Sequence, residues 1–360
     1  MKFYSLDAIL SKHAIYNVIF GERSNGKTYA VLKYALKQFF INGGQVAIVR
    51  RFREDVIGRR ASDIWSAINA NEEVLKASNG DYEGVCYYAG KFYVCNYDLK
   101  TGKPIYNDDD CIGYTFALSE TEHNKSISFP NITTIFFDEF LTNKMYFQDE
   151  FVMFMNTIST IVRNRTNVKI FMCGNTVNKF CPYFKEMGLK HIEKMKQGSI
   201  DLYQYGESKL TVAVEYCATL KKQKKNNYYF AFDNPKLKMI TSGAWELDLY
   251  PHLPVKYKPK DVLYTFFIVF EGTFQCEIIN FLDGIFIYIH RKTTPLKLKK
   301  WDIIYTLDAN PSMNYNENIL KPMNIVQRKI LALVKARKIF YQDNEVGNSI
   351  ENYFKICARG

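Results

Sequence analysis

An α/β domain on a mostly parallel sheet, carrying a β-rich insertion and followed by a smaller α+β module, is the fold this sequence predicts. Three observations carry the prediction. A complete G-x-x-x-x-G-K-[ST] loop, Gly21-Glu22-Arg23-Ser24-Asn25-Gly26-Lys27-Thr28, lies between an apolar strand and an amphipathic helix. A second buried strand, Ile132-Thr133-Thr134-Ile135-Phe136-Phe137, runs straight into the adjacent acids Asp138 and Glu139. Beyond residue 255 the pattern turns to short strands joined by tight turns, then helices.

The strand before the loop is Tyr16-Asn17-Val18-Ile19-Phe20, and the helix after it runs from Lys27 to Phe40, with Val31, Leu32, Ala35, Leu36, Phe39 and Phe40 on one face. Strand, loop and helix in that order are the context that gives the motif its meaning. Successive backbone N–H groups, from Gly21 through Arg23, Ser24, Asn25 and Gly26, curl round a phosphate; Lys27 reaches the β- and γ-phosphates and the Thr28 hydroxyl ligates Mg²⁺. A Cβ at Gly21 or Gly26 would obstruct the turn or the anion. Asn42-Gly43-Gly44 stops the helix, and Gln45-Val46-Ala47-Ile48-Val49 reads as a second buried strand, completing a βαβ unit. Arg50, Arg51, Arg53, Arg59 and Arg60 follow; at the carboxyl end of a strand they suit either contacts to nucleotide or nucleic acid, or a solvated charged face.

From Tyr82 to Leu118 the alternation Val85–Tyr88, Lys91–Cys95 and Ile112–Leu118 predicts antiparallel strands inserted in the α/β domain. The acidic run Asn107-Asp108-Asp109-Asp110 lacks the Gly and distal Glu of a calcium loop and reads as a solvated turn. At Asp138-Glu139 the first carboxylate suits the Mg²⁺ water shell and the second suits a base that orients and deprotonates an attacking water; the bland reading is an exposed strand end. Residues 150 to 162 form a helix ending in Arg163-Asn164-Arg165. Either arginine suits an arginine finger or a partner for the helix dipole. The strand Val168–Cys173 terminates in Gly174-Asn175, where Asn175 suits a γ-phosphate contact or an ordinary turn.

Leu210 to Cys217 gives one more strand. Between Thr219 and Lys260 there are nine lysines against Asp233, Glu246 and Asp248, a basic segment between modules. Strands follow at Val262–Phe270, Phe274–Phe281 and Ile285–His290, with turns at Glu271-Gly272-Thr273 and Asp283-Gly284, then a strand at Asp302–Leu307 and helices at Met323–Arg337 and Asn348–Cys357. The expected division is 1–218, 219–254 and 255–360.

A length of 360 residues suggests about two domains, and 47% hydrophobic content supports folded cores. The formal charge of +11 suits a polyanionic partner such as nucleic acid or an acidic membrane surface. The eight cysteines are scattered without a C-x-x-C pair and read as buried thiols of a reducing compartment. No signal-peptide core opens the chain, and its longest apolar run is too short to cross a bilayer.

Taken together, these residues match a known series. The phosphate loop with its internal Arg23, Ile48-Val49-Arg50-Arg51, Leu118-Ser119 through Lys125-Ser126 to Phe129-Pro130-Asn131, Thr134 through Phe140, Arg163-Asn164-Arg165, and Asn175 leading to Pro182-Tyr183-Phe184 keep its order and spacing. In them the chain resembles the DNA-encapsidation ATPases of small podophages of the Salasmaviridae type, ring-forming ASCE P-loop translocases related to large terminase subunits. The resemblance covers about the first half well and the rest in outline.

It implies a homo-oligomeric ring, a pentamer, docked on the portal of a prohead in the host cytoplasm and driving double-stranded DNA with ATP and Mg²⁺. A structural RNA is an optional further partner and no membrane is expected. Position by position it implies Lys27 and Thr28 on phosphate and metal, Asp138 on the metal, Glu139 as the base, Arg163 as a finger offered to the neighbouring subunit, and Lys125 reaching across the same boundary. It also implies that the C-terminal module is an RNase H-type nuclease fold without its metal-binding acids; Asp233, Glu271, Asp283, Asp302 and Asp308 form no recognisable set, and no cleavage is expected. Two other classes remain open on the residues: a P-loop kinase or GTPase switch, for which Asn178-Lys179-Phe180-Cys181 lacks the guanine-reading Asp, and a nucleotide-dependent nucleic-acid scaffold without turnover, against which Glu139 argues.

Overall fold

The computed structural model describes the chain except residues 1–3, 121–126, 143–145, 148, 177–180, 209, 219–249, 254–255, 282–283, 298, 300 and 359–360. The chain forms two compact units, one of Met1–Asn143 with Gln148–Glu246, the other of Lys144–Phe147 with Leu247–Gly360. The basic segment 219–254 expected between modules falls almost wholly outside the described residues, as do Lys125 and Asp283.

In the first unit a short helix α1 (Asp7–Leu10) precedes β1 (Tyr16–Gly21), α2 (Lys27–Asn42) and β2 (Gln45–Arg50). Helices α3 (Gly58–Asp63), α4 (Ser66–Ala70) and α5 (Glu73–Ala77) lead to β3 (Gly84–Tyr88), β4 (Lys91–Tyr97), β5 (Pro104–Ile105) and β6 (Cys111–Ala117). Then come β7 (Ile132–Asp138), α6 (Glu150–Val162), β8 (Lys169–Asn175), α7 (Pro182–Glu186), β9 (Ile200–Tyr205) and β10 (Leu210–Tyr216). The sheet order is β3-β4-β6-β2-β7-β8-β1-β10-β9, with β5 on β4. Its six central strands, β6 through β10, are parallel, and the two flanks are antiparallel.

Continuous apolar runs in β1, β2, β7 and β8 fit strands covered on both faces. On one face Val31, Leu32, Ala35 and Leu36 of α2 pack with Ile19, Val46, Ile48, Phe136, Phe171 and Cys173. The helix ends where Gly43 turns left-handed at φ 70° and its N–H reaches the Phe39 carbonyl. Because β1, β2, β7 and β8 run the same way, Gly21, Arg50, Asp138 and Asn175 emerge on one edge, where ligands bind in open α/β sheets.

Two expectations are corrected. The insertion is not all antiparallel: β6 pairs antiparallel with β4 but parallel with β2, so it extends the central sheet. Ahead of it lie α3 to α5, which the sequence pattern did not announce and whose Ala61, Trp65, Ile68 and Val74 join the main core. Finally, the acidic run is no solvated turn at its last residue. Asp110 is buried, accepts the Tyr82 hydroxyl at 2.6 Å and receives the Asn107 N–H at 2.6 Å. All eight cysteines are free and seven are buried, Cys86 being half-buried.

The second unit is a sheet of β11 (Val262–Val269), β12 (Thr273–Phe281), β13 (Gly284–Arg291), β14 (Ile304–Thr306), β15 (Tyr315–Asn316) and β16 (Ile339–Tyr341), in the order β15-β14-β11-β12-β13-β16. Only β12 runs against its neighbours. Helices α8 (Ile325–Lys335) and α9 (Asn344–Cys357) contribute Ile330, Val334, Val346, Ile350 and Tyr353 to a core with Phe266, Ile268, Cys276 and Ile289. Both helices carry a side-chain N-cap: Asn324 accepts the Gln327 N–H at 2.9 Å and Asp343 accepts the Val346 N–H at 2.8 Å. Tyr146, from the short segment of this unit, is buried, and its N–H donates to Asn352 Oδ1 at 3.2 Å.

Candidate nucleotide site

The loop between β1 and α2 owes its shape to three left-handed positions, Gly21 at φ 155°, Ser24 at 59° and Gly26 at 95°. At Gly21 a Cβ would lie 2.9 Å from Cys217 Cβ, so no side chain fits there without movement. Arg23 and Ser24 are exposed at the crest, whereas Asn25 is buried and its carbonyl accepts the Tyr4 N–H at 3.1 Å. Lys27 is buried inside the curl. Its ammonium donates to the Glu22 carbonyl at 2.7 Å, to Asn25 Oδ1 at 3.2 Å and to Asn175 Oδ1 at 3.3 Å. Burial pushes the Lys27 pKa down against the pull of neighbouring acids.

Asp138 ends β7 in a buried position, and its carboxylate pKa is raised by burial, with Arg50 acting the other way. The Thr28 hydroxyl donates to Asp138 Oδ1 at 3.2 Å. A hydroxyl and a carboxylate converging at the mouth of a phosphate loop are the oxygen donors a hard divalent cation takes alongside phosphate. Glu139 leaves the strand at φ 60° with a carboxylate that is 64% exposed. Arg50 bridges the two acids, from Nη2 to Asp138 Oδ2 at 2.6 Å and from Nη1 to Glu139 Oε2 at 2.9 Å. Of the other arginines after β2, Arg51 turns into the core to pair with Glu150, Arg53 pairs with Glu120 and Arg60 with Asp55.

Arg163 and Arg165 lie at the other end of the strands. Arg165 donates to the carbonyls of Phe129, Pro130, Ile132 and Ile161 at 2.6–3.0 Å and is a structural staple. Arg163 is exposed, at φ 50°, and its Nη2 donates to the Ile127 carbonyl at 2.9 Å. Ile132, which Arg165 holds, begins β7, and Asp138 ends it, which puts the two edges about 20 Å apart at the rise of a strand. Arg163 is therefore out of reach of its own chain's phosphate loop.

A family model described as podovirus DNA encapsidation protein (Gp16) matches residues 1–355. The chain belongs to this family. It is 28% identical over 187 residues to the DNA packaging protein of Bacillus phage phi29, a match covering 51% of this chain and 49% of that one. The chain thus spans about half the length of this curated relative. Two solved structures share the fold along almost the whole chain, each at a TM-score of 0.57. One is the Phi-28 gp11 DNA packaging motor, 17% identical over 99% of this chain and 98% of that one. The other is the bacteriophage Phi-29 viral genome packaging motor assembly, 20% identical over 98% and 99%.

In this family member the structure brings Gly21, Asn25, Gly26, Lys27, Thr28, Asp138, Glu139 and Asn175 to one edge and leaves Arg163 on the opposite one. Lys125 lies outside the described residues, two positions before the Ile127 carbonyl that Arg163 engages. Sequence reasoning missed the bridging part of Arg50. Its only signal was a place at the end of a strand that proves to be the neighbour of the acid-bearing one.

Proposed function

We propose that this chain is an ATP-driven double-stranded DNA translocase that packages a viral genome into a preformed prohead, hydrolysing ATP at the subunit boundaries of a homo-oligomeric ring. The observation that carries the reading is the convergence of a curled phosphate loop, the Lys27 ammonium, the Thr28–Asp138 oxygen pair and the Glu139 carboxylate on one sheet edge. The insertion of β8 between β1 and β7, together with the second acid, supports membership of the ASCE class of P-loop ATPases.

In this reading the loop amides and Lys27 bind the β- and γ-phosphates, and Thr28 and Asp138 hold Mg²⁺, which when bound neutralises charge on the phosphate oxygens. Glu139 accepts a proton from water as its oxygen attacks the γ-phosphorus, and ADP leaves with the bridging oxygen. Asn175, whose Oδ1 accepts from the Lys27 ammonium, contacts the γ-phosphate in this reading. Arg163 serves the neighbouring subunit, since its own site is a strand length away, and Lys125 serves the same subunit boundary. The ring is a pentamer on the portal, in the host cytoplasm, with a structural RNA an optional further partner.

The domain reading is an ATPase domain over 1–218, a basic linker over 219–254 and a C-terminal module over 255–360. The order β13-β12-β11-β14-β15 with only β12 reversed supports an RNase H-type fold for that module. Its central strand β11 carries no acid, and Asp302 receives the Lys299 N–H of its own turn, which supports the reading that cleavage is not part of the function. The test is DNA-dependent ATPase activity of the full chain with proheads present. Glu139→Gln should retain nucleotide binding and lose turnover about 10²-fold or more, the usual worth of a general base; normal packaging by that variant overturns the reading.

A further inference from the structure

Arg51 follows Arg50 but faces the core, and it makes the most deeply buried ion pair of the first unit among the described residues. Nε donates to Glu150 Oε2 at 2.7 Å and Nη2 to Glu150 Oε1 at 2.8 Å, the bidentate fork that a guanidinium forms with a carboxylate. Tyr183, fully buried, donates its hydroxyl to the same Oε1 at 2.8 Å. Phe137 lies under the guanidinium at 6.0 Å, and the Tyr183 ring meets Phe137, Phe140, Phe151 and Phe154 edge-on.

Such a pair is no net source of stability relative to apolar residues of the same volume, because both ions are stripped of water. What it holds accounts for it. Two remaining Arg51 donor contacts go to consecutive carbonyls, Glu139 O at 3.3 Å and Phe140 O at 2.9 Å. Glu139 is the non-glycine residue at φ 60°, a conformation that persists only where its surroundings over-determine it.

We propose that Arg51, Glu150 and Tyr183 form a positioning clamp that fixes the backbone of Glu139 so that its carboxylate is delivered at one place over the phosphate loop. None of the three touches the nucleotide. They act through Glu139, and the inference rests on the reading of Glu139 as the base. Glu150 supplies the charge that orients the fork, Tyr183 fixes Glu150, and Arg51 passes that order to the two carbonyls. Loss of the clamp therefore lowers the rate of the chemical step and leaves nucleotide binding, which belongs to the loop and Lys27, in place.

The test uses the full chain with double-stranded DNA, measuring kcat, KM, the Kd of a fluorescent ATP analogue and the melting temperature for Glu150→Gln, Tyr183→Phe and Glu139→Gln. Glu150→Gln keeps the shape but removes the charge; kcat is expected to fall about 10²-fold, as for a catalytic group misplaced by ~1 Å, with Kd within about twofold of the parent. Tyr183→Phe removes one hydrogen bond from the clamp and should lower kcat about tenfold, with Kd again unchanged. It carries the test if Glu150→Gln does not fold. Parental kcat in a folded Glu150→Gln, or equal losses in kcat and nucleotide affinity in both clamp variants, overturns the clamp. If Glu139→Gln itself turns over normally, the reading of Glu139 fails instead, and the two failures are distinct.

Discussion

Removing Arg163 and Arg165 one at a time should separate two jobs that lie two residues apart. Arg165→Ala takes charge-assisted hydrogen bonds from four carbonyls, of which only Pro130 is at an exposed contact. Three part-buried bonds, each worth ~1.5–3 kcal/mol, halved for the water that reaches the freed carbonyls, give a loss of about 2–4 kcal/mol. For a unit of this size that lowers the melting temperature by about 4–16 °C. Arg163→Ala gives up one exposed bond and should stay within ~0.5 kcal/mol of the parent. Its effect belongs in turnover, about 10³-fold if the side chain serves a neighbour's γ-phosphate. Thermal melts and DNA-stimulated ATPase measurements on both variants make the comparison. Mixing Arg163→Ala with Lys27→Ala chains then tests direction, because an intact loop beside an intact Arg163 should restore activity that neither variant has alone. Full thermal stability in Arg165→Ala with turnover abolished, or a mixture as inactive as its parts, would refute the assignment.

Arg50→Met leaves Asp138 buried without the cation that offsets its desolvation, which should cost about 3 kcal/mol; Mg²⁺ with a slowly hydrolysed ATP analogue should restore part of it, as read by melts with and without ligand. Gly174→Ala puts a Cβ 2.9 Å from Leu141 Cβ and should destabilise by about 1–3 kcal/mol while displacing Asn175, seen as a lower melting temperature together with slower hydrolysis. In the second unit Glu277 is held down to about 2 by the His290 imidazole, 3.8 Å from its carboxylate, against burial and helped by Tyr257 and Gln275. A depressed carboxylate stabilises the fold above its ordinary value and loses that contribution as pH falls towards the folded pKa. Between about pH 4.5 and 2 the parent should therefore lose ~3 kcal/mol that Glu277→Gln does not lose, measured as the difference between their denaturation curves.

What the sequence made legible is what depends on neighbours along the chain. The phosphate loop is eight consecutive residues, and the acid pair follows six strand residues, so both could be placed before any fold was known. Asn175 needed only the expectation that its strand lies beside the acid-bearing one, which the parallel pairing of β7 with β8 bears out. The directions of Arg50 and Arg51 were not legible: consecutive residues leaving a strand face opposite ways, and which one meets the acids depends on register against β7. Helices α3 to α5 have five or six residues each, too few for a 3.6-residue period to declare itself. The pairing of β6 failed for a related reason, since alternation marks a strand but not the direction of its partner. Short edge strand β9 leaves Leu202 exposed and buries little, so composition gave no signal for it.

The discontinuity of the second unit bears on how the protein can be dissected. A carboxyl-terminal fragment beginning at residue 247 would lack 144–147. Tyr146 would stay behind, and the fragment would present an apolar vacancy with an Asn352 oxygen deprived of its donor. Such a fragment made by itself should melt lower than the same unit in the intact polypeptide, and a synthetic peptide spanning 144–147 is the natural reagent for repairing it.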